Sequence, residues 1–326
     1  MAKIYYDRDA DLTAILSKQI AIIGYGSQRH AHALNLRDSG CNVLVGLPEQ
    51  SRSRKRAEQH GWQVLLPAEA ATHADIIMLL VPDQHQRQVY EQDIKMHLSD
   101  GKMLLTAHGF SLHYAQITPP TNIDVAMVAP NGPGAILRQV FTEGKGIPAL
   151  WTVYQDFTGH AEALTVAYAR ALGCTRAGII QTTFAEETET DLFAEQVVLC
   201  GGLTTLIRTA FETLVEAGYQ PEIAYTCCLQ EVKLIADLLY QGGINFMHKS
   251  ISDTAEFGDY ITGPRIIDNH TRTQMRAVLK DIQDGTFART WILEKQAGYP
   301  TLHTMRQRDA QHPIEAVGER LRQMLP

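Results

Sequence analysis

The residues Ile20-Ala21-Ile22-Ile23 form a short unbroken apolar run that stops at Gly24. Beyond Gly24-Tyr25-Gly26-Ser27-Gln28, the stretch from His30 to Leu34 takes on helical spacing. An apolar run bounded by glycines and followed by helical periodicity predicts a buried strand, a tight turn and a helix. Comparable apolar runs recur at 42–45, 75–81, 103–107, 125–129, 150–153 and 178–180, with helical or loop segments between them. That alternation predicts an α/β sheet with parallel strands. After Phe184 the strand-like runs cease, and helical periodicity covers 191–217, 221–240 and shorter segments toward the C-terminus. Gly218 fits a helix C-cap and Pro221 a helix start. Ser252-Asp253-Thr254-Ala255-Glu256 reads as another capped start. The expected organisation is an N-terminal α/β domain over 1–182 and an all-α domain over 183–326, with no low-complexity linker or short tandem repeat.

The first strand–turn–helix unit has the form of a dinucleotide-binding βαβ unit. Gly24 would permit the turn, and Gly26 would let backbone N–H groups approach a pyrophosphate at the helix N-terminus. Arg29 stands where a third glycine is expected. Three readings of it stay open: it crowds the pyrophosphate, it pairs with a phosphate, or it is a surface arginine. Past the run at 42–45 come Ser51, Arg52, Ser53 and Arg54. An acid at this place would take a free ribose 2′-OH, whereas basic and hydroxyl groups favour a 2′-phosphate. A solvated basic helix start is the competing reading. His108 and Asn131 follow the runs at 103–107 and 125–129, and ligands of open parallel sheets bind beyond the carboxyl ends of strands. A buried packing histidine is the alternative for His108.

The segment 186–196 carries Glu186, Glu187, Glu189, Asp191 and Glu195 as it enters a long helical pattern. Asp191 and Glu195 fall one turn apart and point the same way. Two readings stand: an acidic first turn favoured by the helix dipole, or a site for a hard cation such as Mg²⁺. Cys227 and Glu231 repeat the same spacing on a later helix.

The chain has 326 residues, 45% of them hydrophobic and 20% charged, and a formal net charge of −7. That balance argues against a nucleic-acid surface in spite of the local basic run Arg52, Arg54, Lys55 and Arg56. Cys41, Cys174, Cys200, Cys227 and Cys228 are odd in number and lack metal-ligand or redox spacing. The N-terminus lacks a charged-then-apolar signal pattern, and no apolar run looks long enough to span a bilayer. A cytoplasmic protein with no membrane partner is expected.

Taken together, the residues resemble the ketol-acid reductoisomerases of branched-chain amino-acid synthesis, in their short form. The resemblance rests on Gly24-Tyr25-Gly26-Ser27-Gln28, the stretch from His30 to Gly40, Ala107-His108-Gly109-Phe110, and Glu187-Thr188-Glu189-Thr190-Asp191-Leu192-Phe193. Gly201-Gly202, the stretch from Phe211 to Tyr219, and Ile251-Ser252-Asp253-Thr254-Ala255-Glu256 extend it over nearly the whole chain. It implies a Rossmann domain followed by a knotted helical domain like that of 6-phosphogluconate dehydrogenase. It also implies a homodimer or larger assembly, because two helical domains complete each site in the family. Family members use NADPH and two Mg²⁺ ions to move an alkyl group within an acetohydroxy acid and then reduce the resulting ketone. By resemblance, Asp191 matches the metal-bridging carboxylate, Glu195 a second ligand, and Glu231 an acid near metal water or substrate. Ser252 matches the contact to the substrate carboxylate, and His108 the histidine at the substrate end.

Several departures fall on the same site. Asn131 stands where the family has lysine, Ala135 where it has histidine, and Cys227 where it has the glutamate partnered with Glu231. Gln230 replaces a histidine, Arg29 a glycine of the cofactor loop, and Pro48 an arginine near the adenine. A thiol suits softer metals than Mg²⁺, so a second metal site involving Glu231 is in question. The expectation is a diverged enzyme that uses, or acts on, NADP(H) or NAD(H) and a small-molecule substrate. It would either reduce without alkyl migration or cleave an N-glycosidic bond with carboxylate assistance. The alternatives are an ordinary NADPH- and Mg²⁺-dependent reductoisomerase and a non-catalytic nucleotide-binding homologue.

Overall fold

The computed structural model describes residues 2–26 and 29–323, without the Arg29 side chain. The chain divides into two compact units, Met1–Thr188 and Glu189–Pro326.

The first unit is built on nine strands: β1 (Ile4–Tyr5), β2 (Gln19–Ile23), β3 (Asn42–Gly46), β4 (Val64–Leu65), β5 (Ile76–Leu79), β6 (Met103–Thr106), β7 (Asp124–Pro130), β8 (Ala149–Gln155) and β9 (Ile179–Gln181). They form one sheet in the order β1-β9-β8-β7-β6-β5-β2-β3-β4. Strands β4, β3, β2, β5, β6 and β7 run parallel. Strand β8 pairs antiparallel with β7, and β1 antiparallel with β9. The central strands are apolar on both faces because both faces are covered. Ile20 and Ile22 join a core with Leu36, Trp151 and Tyr168. Ala21 and Ile23 point the other way, to Ala70, Ile77, Leu79 and Leu104. The direction of the order reverses between β3 and β5, the two neighbours of β2, so the β2 carboxyl end lies at a topological switch point, where such sheets bind ligands.

The run from His30 to Leu36 is anchored by polar groups as well as by alanines. In the helix Arg29–Asp38, His32 is fully buried with Nδ1 3.0 Å from the Tyr168 hydroxyl. Asn35 donates to the Leu172 carbonyl at 3.1 Å and accepts from Arg138 at 2.9 Å. Burial pushes the His32 pKa down to about 3. A base whose folded pKa lies below its unfolded value of about 6.5 binds its proton only on unfolding. Its contribution to stability is therefore complete above about pH 6.5 and is lost as the pH falls toward 3. Denaturant unfolding at graded pH should show stability falling by up to ~1.4 kcal/mol per pH unit from this residue alone. His32→Asn should flatten that slope while lowering stability at neutral pH.

The second unit is helical throughout its described length. Helix Phe184–Ala194 continues through a π-turn, Glu195–Leu199, into Gly201–Glu216. Helix Pro221–Tyr225 leads through a second π-turn, Thr226–Gln230, into Val232–Ser250, which breaks at Gly243. Five more helices follow, starting with Asp253–Ile266. The core formed here is small, centred on Phe211, Ala224, Tyr225, Ile314 and Val317. Leu199, Leu206, Leu234, Phe257 and Ile261 are all more than half exposed or nearly so.

One helical run, Phe184–Glu216, is long and apolar enough to cross a bilayer by length and composition alone. This corrects the expectation that no run reaches that length. Its N-terminal turns nevertheless carry Glu186, Glu187, Glu189, Asp191 and Glu195, and carboxylates at bilayer depth are costly.

Candidate active site

Gly24 closes β2 with φ +107°, a backbone region that suits glycine. Its N–H donates to the Gly46 carbonyl at 3.0 Å, tying the turn to the end of β3. The next side chain, Tyr25, turns inward and is 1% exposed, so this residue offers a ligand its backbone and not its ring. The Gly26 carbonyl accepts from the His30 N–H at 3.2 Å, which starts the helix. Of the expected cofactor-loop residues, Ser27 and Gln28 and the Arg29 side chain lie outside the described residues.

Past β3, Arg54 is committed to structure: its guanidinium donates to the Leu47 and Val64 carbonyls, both at 3.3 Å. The Ser51 hydroxyl accepts from the Ser53 N–H at 3.3 Å and shapes the turn. Arg52 is exposed and Ser53 half-buried. The basic run thus splits into Arg54, which pins the sheet edge, and Arg52, Lys55 and Arg56, which are exposed.

The clearest construction lies at the ends of β6 and β7. His108 follows β6, and its Nδ1 is 2.9 Å from Oε1 of Glu187. The other oxygen of Glu187 accepts the Gly109 N–H at 2.8 Å. Glu187 is only 3% exposed. Gly109 makes this approach possible: a Cβ there would lie 2.2 Å from Thr188 Oγ1 and 3.0 Å from both Glu187 Oε2 and the Phe184 carbonyl. The expectation from sequence assigned His108 to the site and passed over Glu187, although Glu187 precedes Asp191 by one helical turn. Asn131 follows β7, the parallel neighbour of β6, with its N–H donating to the Pro148 carbonyl at 2.9 Å and its side chain exposed. His108 and Asn131 therefore stand at the carboxyl ends of adjacent strands.

In the helical unit, Asp191 is exposed on Phe184–Ala194, and Glu195, also exposed, opens the first π-turn. Cys227 is exposed in the second π-turn, and Glu231 directly follows it, exposed as well. Within this unit, no three His, Cys, Asp or Glu ligand atoms gather within 4.8 Å among the described residues. Ser252 caps Asp253–Ile266, its Oγ accepting the Ala255 N–H at 3.2 Å. The hydroxyl proton of Ser252 remains available to donate. The π-turns that carry Glu195 and Cys227 add a residue to the helix and redirect side chains, a device frequent at functional sites.

Residues 14–178 match the family described as acetohydroxy acid isomeroreductase, NADPH-binding domain. Residues 184–326 match ketol-acid reductoisomerase, C-terminal domain. An NADH-preferring ketol-acid reductoisomerase from an uncultured archean is 42% identical, with 99% of each chain covered and a TM-score of 0.97. More distant structures share the fold alone. A semialdehyde dehydrogenase NAD-binding protein from Cupriavidus necator, solved with calcium and NAD, matches at 16% identity and TM-score 0.63, over 82% of this chain and 99% of its own. A pyrroline-5-carboxylate reductase from Coxiella burnetii matches at 15% identity and TM-score 0.57, over 82% and 97%. With a dinucleotide-type sheet, a helical second unit, and two family matches that between them span nearly all its residues, the chain belongs to the ketol-acid reductoisomerase family.

Proposed function

We propose that this chain is a diverged, cytoplasmic, nicotinamide-dinucleotide enzyme of its family that reduces a 2-oxo acid without the alkyl migration of ordinary reductoisomerases. One observation carries the reading: the position at the carboxyl end of β7 holds the exposed neutral amide of Asn131. The family pattern places a lysine there. An amide donor at that place lacks the charge that strengthens a hydrogen bond to a developing oxyanion. On the same sheet, Gly24 keeps the glycine-favoured backbone of a dinucleotide turn, and His108 is paired with Glu187.

The donor set fits one hard cation. Asp191 and Glu195 are exposed carboxylates about one turn apart, and Mg²⁺ takes one or two carboxylates while keeping water. When bound, Mg²⁺ supplies Lewis-acid polarisation of substrate oxygens. A second ion would rely on Glu231 with Cys227 beside it, and a thiol is a poor partner for so hard a cation. In this reading His108 holds or passes a proton through its Nε2, with Glu187 fixing the ring. Ser252 and Asn131 orient the substrate. The apolar faces of the helical unit support self-association as a homodimer or larger assembly.

The test supplies two substrates with reduced dinucleotide and Mg²⁺, following the loss of nicotinamide absorbance. One is an acetohydroxy acid, which needs migration; the other is the 3-hydroxy-2-oxo acid formed after migration. Turnover of the second alone is expected. Equal turnover of both would make the chain an ordinary reductoisomerase, a reading compatible with the 42% identity to a reductoisomerase. No turnover and no dinucleotide binding would make it a non-catalytic homologue.

Arg52 is the group suited to a ribose 2′-phosphate. Arg52→Ala should weaken NADP⁺ by roughly 10–100-fold, the worth of a charge-assisted bond of about 1.5–3 kcal/mol. NAD⁺ affinity should stay within about twofold. Calorimetric titration of both nucleotides checks it, and equal losses would rule out a 2′-phosphate role.

A further inference from the structure

The side chain of Tyr25 leaves the dinucleotide turn and enters a polar cluster that the reaction described above does not use. Its hydroxyl accepts the Trp62 indole N–H at 2.9 Å and lies 2.7 Å from Nδ1 of His60. The turn 60–62 is itself clamped by Arg37, which donates to the His60 carbonyl at 2.8 Å and lies over the Trp62 ring at 4.8 Å. We propose that His60 and Trp62 are positioning residues for dinucleotide binding, holding the Gly24–Gly26 turn through the Tyr25 hydroxyl only while His60 is neutral. The inference rests on the dinucleotide-binding reading given above.

The hydrogen-bond inventory favours one protonation state. An indole N–H only donates, so Tyr25 accepts from Trp62. The Tyr25 proton then finds its acceptor in His60 Nδ1, which accepts only in a neutral ring protonated at Nε2. A proton added to Nδ1 would turn that nitrogen into a donor to the Tyr25 oxygen and leave the Tyr25 O–H without its acceptor. The hydroxyl would have to turn away inside a side chain that is 1% exposed, and a buried donor without its acceptor is costly. Tyr25 sits between Gly24 and Gly26, two residues with little steric restraint of their own, so movement of its ring carries the turn with it.

The surroundings favour the neutral form. Burial, then Arg56, His30, Arg37 and Arg138, hold His60 below the ordinary histidine value. These groups come from three elements around the ring: His30 and Arg37 on Arg29–Asp38, Arg56 on Arg54–Gln59, and Arg138 on Gly134–Thr142. The His30 and His60 rings are 6.4 Å apart, centroid to centroid. Burial raises the Tyr25 pKa, so the tyrosine keeps the proton it gives to His60. The sign follows from linkage: a histidine that must be neutral in the bound state weakens binding as the pH falls below its free-protein pKa, by at most tenfold per pH unit.

NAD⁺ is the probe, since its pyrophosphate keeps its charge in this range and it carries no 2′-phosphate to titrate. Binding is measured by calorimetry on the full chain at about pH 8 and about pH 5.5, a window that brackets histidine titration. Wild-type affinity should fall across the interval, by less than the ~tenfold an unshifted histidine would give, because His60 is held below the ordinary value. His60→Leu should bind more weakly at both pH values and show no fall. His60→Asn, whose Oδ1 can accept the Tyr25 proton, should recover most of the loss while keeping the flat profile, which a merely structural role for the histidine would not produce. A wild-type fall that persists unchanged in His60→Asn and His60→Leu overturns the inference and leaves the dinucleotide reading standing. Wild-type protein that binds no NAD⁺ at either pH overturns both.

Discussion

Glu187→Gln is expected to lower kcat by about 10²–10⁴ while leaving dinucleotide affinity nearly unchanged. Glu187 spends one oxygen on the Gly109 N–H and the other on His108 Nδ1. A carboxylate accepts at both positions, so His108 donates from Nδ1, and in the neutral ring that leaves Nε2 as the accepting nitrogen. Glutamine has a single oxygen. The Gly109 N–H cannot change its role, so that oxygen stays with the backbone and the amide NH₂ turns to His108. Nδ1 must then accept, the ring proton moves to Nε2, and the working nitrogen exchanges its function. Loss of a partner behind a functional histidine typically costs 10–100-fold, and the inverted tautomer of a buried Asp→Asn change in a protease triad costs ~10⁴. The check is steady-state turnover of the 3-hydroxy-2-oxo acid, together with ¹⁵N shifts of the His108 ring. An unchanged tautomer with unchanged kcat would remove Glu187 from the proton-handling machinery and leave it as packing.

Why the sequence disclosed His108 and not Glu187 has a physical basis. Strands β2, β6 and β7 are apolar runs stopped by glycine or proline, so their carboxyl ends can be placed to within a residue or two, and Gly24, His108 and Asn131 with them. The partner of His108 lies 79 residues away. Nothing local in Thr182-Thr183-Phe184-Ala185-Glu186-Glu187 separates a buried carboxylate from an acidic helix start. Gly109 held the only trace, because a glycine after a strand-end histidine marks close approach by another chain segment. Strands β1 and β4 are two residues long, too short to leave an alternation. The antiparallel β8 was equally hidden, since an apolar run reads the same in both directions.

The helical unit shows the same division between local and distant information. The spans 191–217 and 221–240 read as plain helices, yet each contains a π-turn, Glu195–Leu199 and Thr226–Gln230. One extra residue per turn does not disturb a 3.6-residue pattern enough to be seen over so short a stretch. Gly201-Gly202 carried the signal for the first: Cβ atoms there would meet the Gln196 and Val197 carbonyls at 2.1 and 1.9 Å. The exposed apolar residues of this unit could not be told from core positions by periodicity, because apolar residues at helical spacing read the same whether the chain buries them or not.

Asn131→Lys combined with Cys227→Glu is expected to raise turnover of an acetohydroxy acid by about 100-fold or more over the unmodified chain. Both side chains are exposed, so neither change disturbs packing. The lysine supplies a charged donor at the carboxyl end of β7, and donors that act on transition-state charge are worth about 2.7–4 kcal/mol, or 10²–10³ in rate. The glutamate supplies a hard oxygen beside Glu231 in place of sulfur, which should also steepen the dependence on Mg²⁺. The gain should exceed the product of the two single-variant gains, since groups that act as a unit are not additive. Turnover measured across a Mg²⁺ titration, with circular dichroism and dinucleotide binding as controls for folding, decides the matter. A double variant that folds, binds dinucleotide and still fails to convert the acetohydroxy acid would show that the barrier to migration lies elsewhere, with Ala135, Gln230 and Arg29 the next residues to revert. High turnover before any change would mean that an amide at the end of β7 and a thiol in the second π-turn suffice for the full reaction.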